Sequence, residues 1–171
     1  MRVIDRSMSS GEPGWSTPHA EAVFAVRVAA WNSDREAIRA VRYTVFVVEQ
    51  SVPEALEWDG RDGECLHVLA EAAPGEAIGT ARLLPTGQIG RMAVVAPWRR
   101  RGVGRAMLEA LVDRARQAGH EAVTLHAQLS AIDFYARSGF VAHGEVFMDA
   151  NIAHRHMTRQ LTQAAQHAAH R

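Results

Sequence analysis

Six consecutive residues, Arg99-Arg100-Arg101-Gly102-Val103-Gly104, have the types and spacing to do chemistry. Glycine lets a backbone pass close to a ligand, and the first N–H groups of a helix lack intrahelical partners. A glycine turn that opens a helix therefore aims several donors at one point. Arginines around such a point favour an anion, most simply a phosphate or pyrophosphate. The spacing fails the P-loop pattern, having no Gly-Lys-Ser/Thr, and fails the dinucleotide fingerprint, having no third glycine at the required offset. A pyrophosphate bound through another motif is what remains.

Other residues offer different chemistry. Glu49, Glu54, Glu57 and Asp59 are set among Phe46, Val47, Val48, Leu56 and Trp58, a mixture typical of a loop that lies on a domain and lines a pocket. Such carboxylates hold a cation or take a proton, although each taken singly is more often a solvated side chain. Cys65 and His67 share a strand face at i, i+2 spacing and could pair as nucleophile and base; a free cysteine is more often a small buried residue. His126 sits mid-strand with Gln128 two residues on, so the two extend one polar patch. His154 and His156 also share a face, but no carboxylate or cysteine completes a metal set at usual spacing, and no metal is expected.

The elements that must position these groups can be read in order. The 171 residues, 47% hydrophobic, suit one domain with a full core. Residues 1–20, rich in Ser, Gly and Pro, read as a flexible arm, 21–162 as the folded domain and 163–171 as a polar tail. Ala22 to Trp31 reads as a first strand. Ser33 and Glu36 fit a capping box ahead of a helix of about three turns carrying Ile38, Val41 and Val45. Segments 65–73, 77–85 and 88–95 read as an antiparallel meander, and the helix from about Gly102 leads through Gly119 to a strand over Ala122 to Gln128. The strand, helix, strand unit from 88 to 128 predicts two parallel neighbouring strands. A short helix from Ser130 to Arg137 and strands at about 140–146 and 153–161, joined by a wide loop over Phe147 to Ile152, complete the chain.

Lys+Arg and Asp+Glu are equal at 19 each, so no overall field favours nucleic acid or a membrane surface, and the arginine cluster stands out as local. No apolar run approaches the roughly 20 residues of a bilayer crossing, the first residues have no signal-peptide core, and one cysteine excludes an intramolecular disulfide framework. A cytoplasmic protein without membrane or nucleic-acid partners is expected.

Arg99-x-x-Gly102-x-Gly104 resembles the Arg/Gln-x-x-Gly-x-Gly/Ala motif of the GNAT superfamily of N-acetyltransferases, and Phe134-Tyr135-Ala136-Arg137-Ser138-Gly139-Phe140 is similar to its F-Y-x-x-x-G-F signature. Val45 to Gln50, Gly79 to Arg82, Gly90 to Val94 and Leu125 to Gln128 look like the ElaA-like branch, and the resemblance spans about Val23 to Leu161. It implies an α/β (α+β type) domain with a GNAT-like acyl-CoA N-acyltransferase fold. The sheet would be mixed and mainly antiparallel, of six to seven strands with a splayed parallel pair, flanked by helices. The implied activity is acetyl transfer from acetyl-CoA to a small-molecule primary amine in a ternary complex. A domain that binds acyl-CoA as a sensor or interaction module is the alternative, and a homodimer is the common assembly.

The resemblance also distributes roles. The pyrophosphate of coenzyme A would lie on Arg99, Arg100, Arg101, Gly102, Val103, Gly104 and Arg105. Backbone groups of Met92, Ala93, Val94 and Val95 would meet the pantetheine amides and the thioester oxygen. Tyr135 falls where the family often places the acid that protonates the departing thiolate, and its ordinary pKa near ~10 suits that task. The superfamily motif does not fix the base, for which Glu49 is the first candidate and His126 the second. Arg42, Phe46, Arg82 and Gln128 are assigned to the acceptor pocket, with structural ion pairing as the other use of the arginines.

Overall fold

The computed structural model describes residues 23–161; the arm expected over 1–20 and the tail expected over 163–171 lie outside the described residues. Strand β1 (Ala25–Ala29) is shorter than expected, because helix α1 (Trp31–Arg42) starts two residues before the expected cap. The Ser33 and Glu36 capping box does not form. Instead Asp34 accepts the Ala30 N–H at 2.8 Å, and Arg27 holds that carboxylate from β1 at 2.8 Å. Ile38 and Val41 are buried under α1, Ile38 against Ala29 and Leu69.

The chain does not enter a loop at Phe46. Tyr43–Glu49 continues α1 as a π-helical segment, in which Gln50 N–H reaches back five residues to the Val45 carbonyl at 3.1 Å. Wider turns of this kind shift the side-chain phase and recur at functional sites. A one-turn helix, α2 (Glu54–Glu57), follows.

The central sheet has seven strands in the order β1-β2-β3-β4-β5-β7-β6, with β2 (Leu66–Glu71), β3 (Ala77–Leu83), β4 (Gln88–Val94), β5 (Ala122–Gln128), β6 (Val141–Asp149) and β7 (Ile152–Gln160). Every neighbouring pair is antiparallel except β4 with β5, the crossover pair read from the sequence. The crossover helix α3 (Val103–Gln117) buries Val103, Met107, Leu108, Leu111, Val112 and Ala115 in one core with Val68, Ile78, Ile89, Val123 and Leu125. Burial of each larger side chain contributes about 2 kcal/mol, enough to anchor a helix whose first turn carries no side-chain cap.

Helix α4 (Ile132–Arg137) crosses from β5 to the last two strands. The wide loop expected over Phe147 to Ile152 is absent. β6 runs to Asp149 and turns into β7 through Ala150 and Asn151 alone, both in the left-handed region at φ 48° and 62°. That is the geometry of a two-residue hairpin turn, and a register shift of two residues between His143 and Phe147 interrupts the ladder.

Candidate functional site

The site grows from one irregularity in β4. Between Thr80–Ala93 and Arg82–Gly90 the register with β3 slips by one residue, and Arg91 takes a left-handed φ of 50°. A bulge of this kind re-aims the strand. On its other side β4 pairs with β5 only at Gln88–Thr124 and Ile89–Leu125 and then leaves it. Val95 N–H is donated to Ile78 O at 2.9 Å, so strand alternation turns Ala93 and Val95 toward β3 and turns the N–H groups of Met92 and Val94 into the opening. The expectation that all four of these residues offer free backbone groups is therefore corrected to Met92 and Val94. The Val94 carbonyl already accepts from Arg99 Nε at 2.9 Å.

At one end of the opening lies the glycine turn. Gly102 is the N-cap of α3 at φ 83°, a conformation for which glycine pays no Cβ strain, and a Cβ there would meet nothing within 4 Å. The first intrahelical bond runs from Ala106 N–H to Gly102 O at 3.0 Å, leaving the N–H groups of Val103, Gly104 and Arg105 without intrahelical acceptors. No acidic residue lies in this first turn, so no carboxylate there competes for these donors. Val103 contributes backbone only, since its side chain is buried in the core. Arg99, Arg100, Arg101 and Arg105 are exposed around the turn, Arg101 lying over the Trp98 ring at 5.3 Å. A Cβ on Gly104 would sit 3.3 Å from the Phe134 ring of α4, so this glycine also sets how closely the two helices meet.

At the other end is a cleft of about 220 Å³. Phe46, Met92, His126, Gln128 and Tyr135 all line it. Tyr135 directs its hydroxyl at the Met92 sulfur, 3.8 Å away, and packs edge-on against Phe134, with ring centroids 4.9 Å apart. Burial pushes its phenol up to about 12. Gln128 Nε2 donates to Gln50 Oε1 at 2.9 Å, tying β5 to the segment that follows the π-helical turn. His126 stacks edge-on against His156 of β7 at 4.5 Å and Phe147 of β6 at 5.1 Å. Burial lowers its pKa from the ordinary value, His156 and His154 add to that, and Asp149 opposes it. The lowering favours the neutral imidazole, the form able to accept a proton.

An acetyltransferase (GNAT) domain description matches residues 29–161. This chain belongs to the GNAT acetyltransferase family. A provisionally assigned acetyltransferase of Bacillus subtilis (strain 168) is 35% identical over 128 residues, covering 70% of this chain and 85% of the relative. The crystal structure of ElaA from Escherichia coli superposes with a TM-score of 0.72 at 26% identity, covering 81% of this chain and 100% of that one. An acyl-CoA N-acyltransferase from Pseudomonas aeruginosa gives 0.71 at 29% identity, covering 80% and 99%. The fold is thus the acyl-CoA N-acyltransferase fold, and the protein is an acyl-CoA-dependent N-acetyltransferase.

Three sequence assignments change in this acetyltransferase. Arg42 is 1% exposed and bonds Glu57 Oε1, Glu57 O at 3.0 Å and Asp62 Oδ1 at 2.6 Å. Arg82, also buried, bonds Asp62 at 2.8 Å and both oxygens of Asp59. Neither guanidinium lines the cleft, so both arginines take the structural ion-pairing use instead of the acceptor one. Glu49, the first candidate for the base, is held by Arg99 through two bonds of 2.6 and 2.8 Å, which keep its carboxyl below the usual range. A carboxylate stabilised in its ionised form is a weak base, and Glu49 does not line the cleft.

The Cys65 and His67 pair also dissolves. Cys65 Sγ donates to Arg61 O at 3.2 Å while burial pushes its thiol up; His67 Nε2 is bonded to Asp62 O at 2.8 Å and stacks on Trp31. Sequence reasoning missed Arg91, Asp149 and His154 as cleft residues. The pairing of two histidines two apart was visible, but not that His154 would lie opposite Gln128 across β5 and β7.

Proposed function

We propose that the chain transfers the acetyl group of acetyl-CoA to a primary amine by direct attack within a ternary complex. The observation that carries this reading is the two-residue pairing of β4 and β5. It opens a cleft with unpartnered helix N–H donors at one end and a neutral histidine and a protonated tyrosine at the other. The free N–H groups of Val103, Gly104 and Arg105, the open space over Gly102 and the surrounding arginines fit a pyrophosphate. Met92 and Val94 would bond the amides of an extended pantetheine. When bound, acetyl-CoA supplies an activated acyl group.

The residues of the chain divide the proton work. His126 Nδ1 or Nε2 takes a proton from the acceptor ammonium, directly or through water, and so frees the lone pair that forms the C–N bond. A backbone N–H of Met92 or Val94 meets the carbonyl oxygen as it gains charge. Tyr135 gives its proton to the sulfur as the C–S bond breaks. Its raised pKa keeps the phenol protonated at neutral pH, ready for that step.

The test is release of free thiol from acetyl-CoA in the presence of a panel of primary amines, run beside protection of the protein from thermal unfolding by coenzyme A. Protection with amine-dependent thiol release is expected. Protection without release from any amine would leave a binding module in place of an enzyme with this mechanism.

A further inference from the structure

Four histidines gather on one face of the last three strands. His126 of β5 stands directly opposite His156 of β7, and His156 stands opposite His143 of β6, so the three side chains share a face. His154, two residues before His156, shares it too. The core lies on the other face, where Leu125, Ala127 and Met157 are buried.

The rings are in contact. His126 meets His156 edge-on at 4.5 Å and Phe147 edge-on at 5.1 Å, while His156 and Phe147 stack on each other at 4.6 Å and 30°. His156 also stacks on His143 at 6.0 Å, and His143 is held in turn by a hydrogen bond of 2.8 Å to Thr158 Oγ1. The register shift in β6 makes this arrangement possible. Four residues of β6 run from His143 to Phe147 against two of β7 from His156 to His154. Gly144 takes a φ of 73° within that excess, and its carbonyl accepts from Arg155 Nε at 3.0 Å. Both β6 rings are thereby brought onto His156, as bulges beside active sites re-aim side chains.

The orientation of a working histidine is ordinarily set by a hydrogen bond to its second ring nitrogen. Among the described residues His126 makes no side-chain hydrogen bond, so its ring contacts take over that task. His126 lines the cleft and His156 does not. Resting on the transfer reading above, we infer that His156 is a positioning residue for the transfer: braced by Phe147, it holds the His126 imidazole toward the acceptor.

Loss of His156 has two effects. An imidazole free to swing spends less time aligned with the acceptor, which lowers the rate at saturation. It is also easier to protonate, since burial and His156 both lower the His126 pKa. The other groups acting on His126 are His154 of β7, which lowers it further, and Asp149 of β6, which opposes; Glu57 and Arg91 line the same cleft and pair with each other. All of these remain in a His156 variant.

The experiment measures kcat and KM for thiol release across pH in two variants. His156 is exposed, so its replacement should cost little stability, and protection by coenzyme A, unchanged in both variants, shows that they are folded. His156→Ala should lower kcat on the pH plateau about tenfold and leave KM for acetyl-CoA within about twofold. It should also move the acid limb to higher pH, toward the ordinary histidine value. His156→Phe, which keeps a ring against Phe147 and His126, should bring plateau kcat back to within about threefold of wild type. An alanine variant with wild-type kcat and an unmoved acid limb, or a phenylalanine variant that loses as much kcat as alanine, would overturn the inference and leave the transfer reading intact. An acid limb that survives His126→Asn, or no turnover with any amine despite protection, would instead overturn the transfer reading and this inference with it.

Discussion

Replacing Arg42 by methionine separates its structural role from an acceptor-binding one. The substitution keeps much of the side chain's volume and removes a cation that is 1% exposed and bonds Glu57 twice and Asp62 once. Breaking a buried ion pair on one side costs about 3–5 kcal/mol, because the surviving charge is left in a medium that solvates it poorly. Here the survivors keep partial partners, since Asp62 retains Arg82 at 2.8 Å and Glu57 retains Arg91 at 3.3 Å. The lower end, about 3 kcal/mol, is therefore expected, which for a domain of this size lowers the melting temperature by about 6–12 °C. The effect depends on pH. Arg42 helps depress the Asp62 pKa against the opposing effect of burial, so the stability of this pair is present above the ordinary aspartate value and is lost as pH falls through the folded one. Melting curves of the two proteins should converge on acidification. An unchanged melting temperature at neutral pH, with a raised KM for the amine alone, would refute the structural assignment and return Arg42 to the acceptor pocket.

Four further outcomes test the site. Tyr135→Phe should lower kcat by about a hundredfold with little change in coenzyme A protection; intact turnover would mean that the leaving group takes its proton elsewhere. In the wild type the pH profile of kcat should rise through a midpoint below the ordinary histidine value, following the lowered His126, and show no fall up to about pH 10 because Tyr135 stays protonated; His126→Asn should abolish the acid limb. Glu49→Gln should leave kcat within about twofold and should not weaken acetyl-CoA binding, since it frees Arg99; a large loss of kcat would restore Glu49 as the base. Gly104→Trp should abolish coenzyme A protection, because a side chain there collides with Phe134 and covers the helix donors, and unchanged affinity would contradict the placement of the cradle.

What was legible in the sequence is local. The strand at Ala122–Gln128, the helix after Gly102 and the parallel pairing between β4 and β5 follow from periodicity and turn chemistry inside a single stretch, and the structure has them. The glycine turn that opens α3 was readable for the same reason, since its helix donors and its glycines are neighbours in the chain. Side-chain partnerships across the fold were not. Arg42 meets Glu57 and Asp62 at separations of 15 and 20 residues, and nothing in a hydropathy pattern distinguishes a guanidinium that faces a cleft from one that faces two carboxylates. Glu49 was misjudged similarly, its partner Arg99 lying 50 residues away. The β6–β7 hairpin was obscured by the two-residue register shift that interrupts its ladder and by a turn that uses Ala150 at positive φ where glycine would have announced it. Losing that hairpin also lost Asp149 as a cleft residue.

The parting of β4 from β5 has a consequence for contacts with other chains. A strand that leaves its neighbour acquires an edge, and exposed edges invite other chains to add a strand. Here the two bare edges face each other across a cleft in the middle of the sheet, walled by side chains such as Phe46 and Tyr135. A narrow, extended molecule bearing amides can fill that seam, while another protein's strand, carrying side chains on both faces, is too broad for it. The fold thus keeps unpaired backbone for ligand recognition without offering it as a site of aggregation.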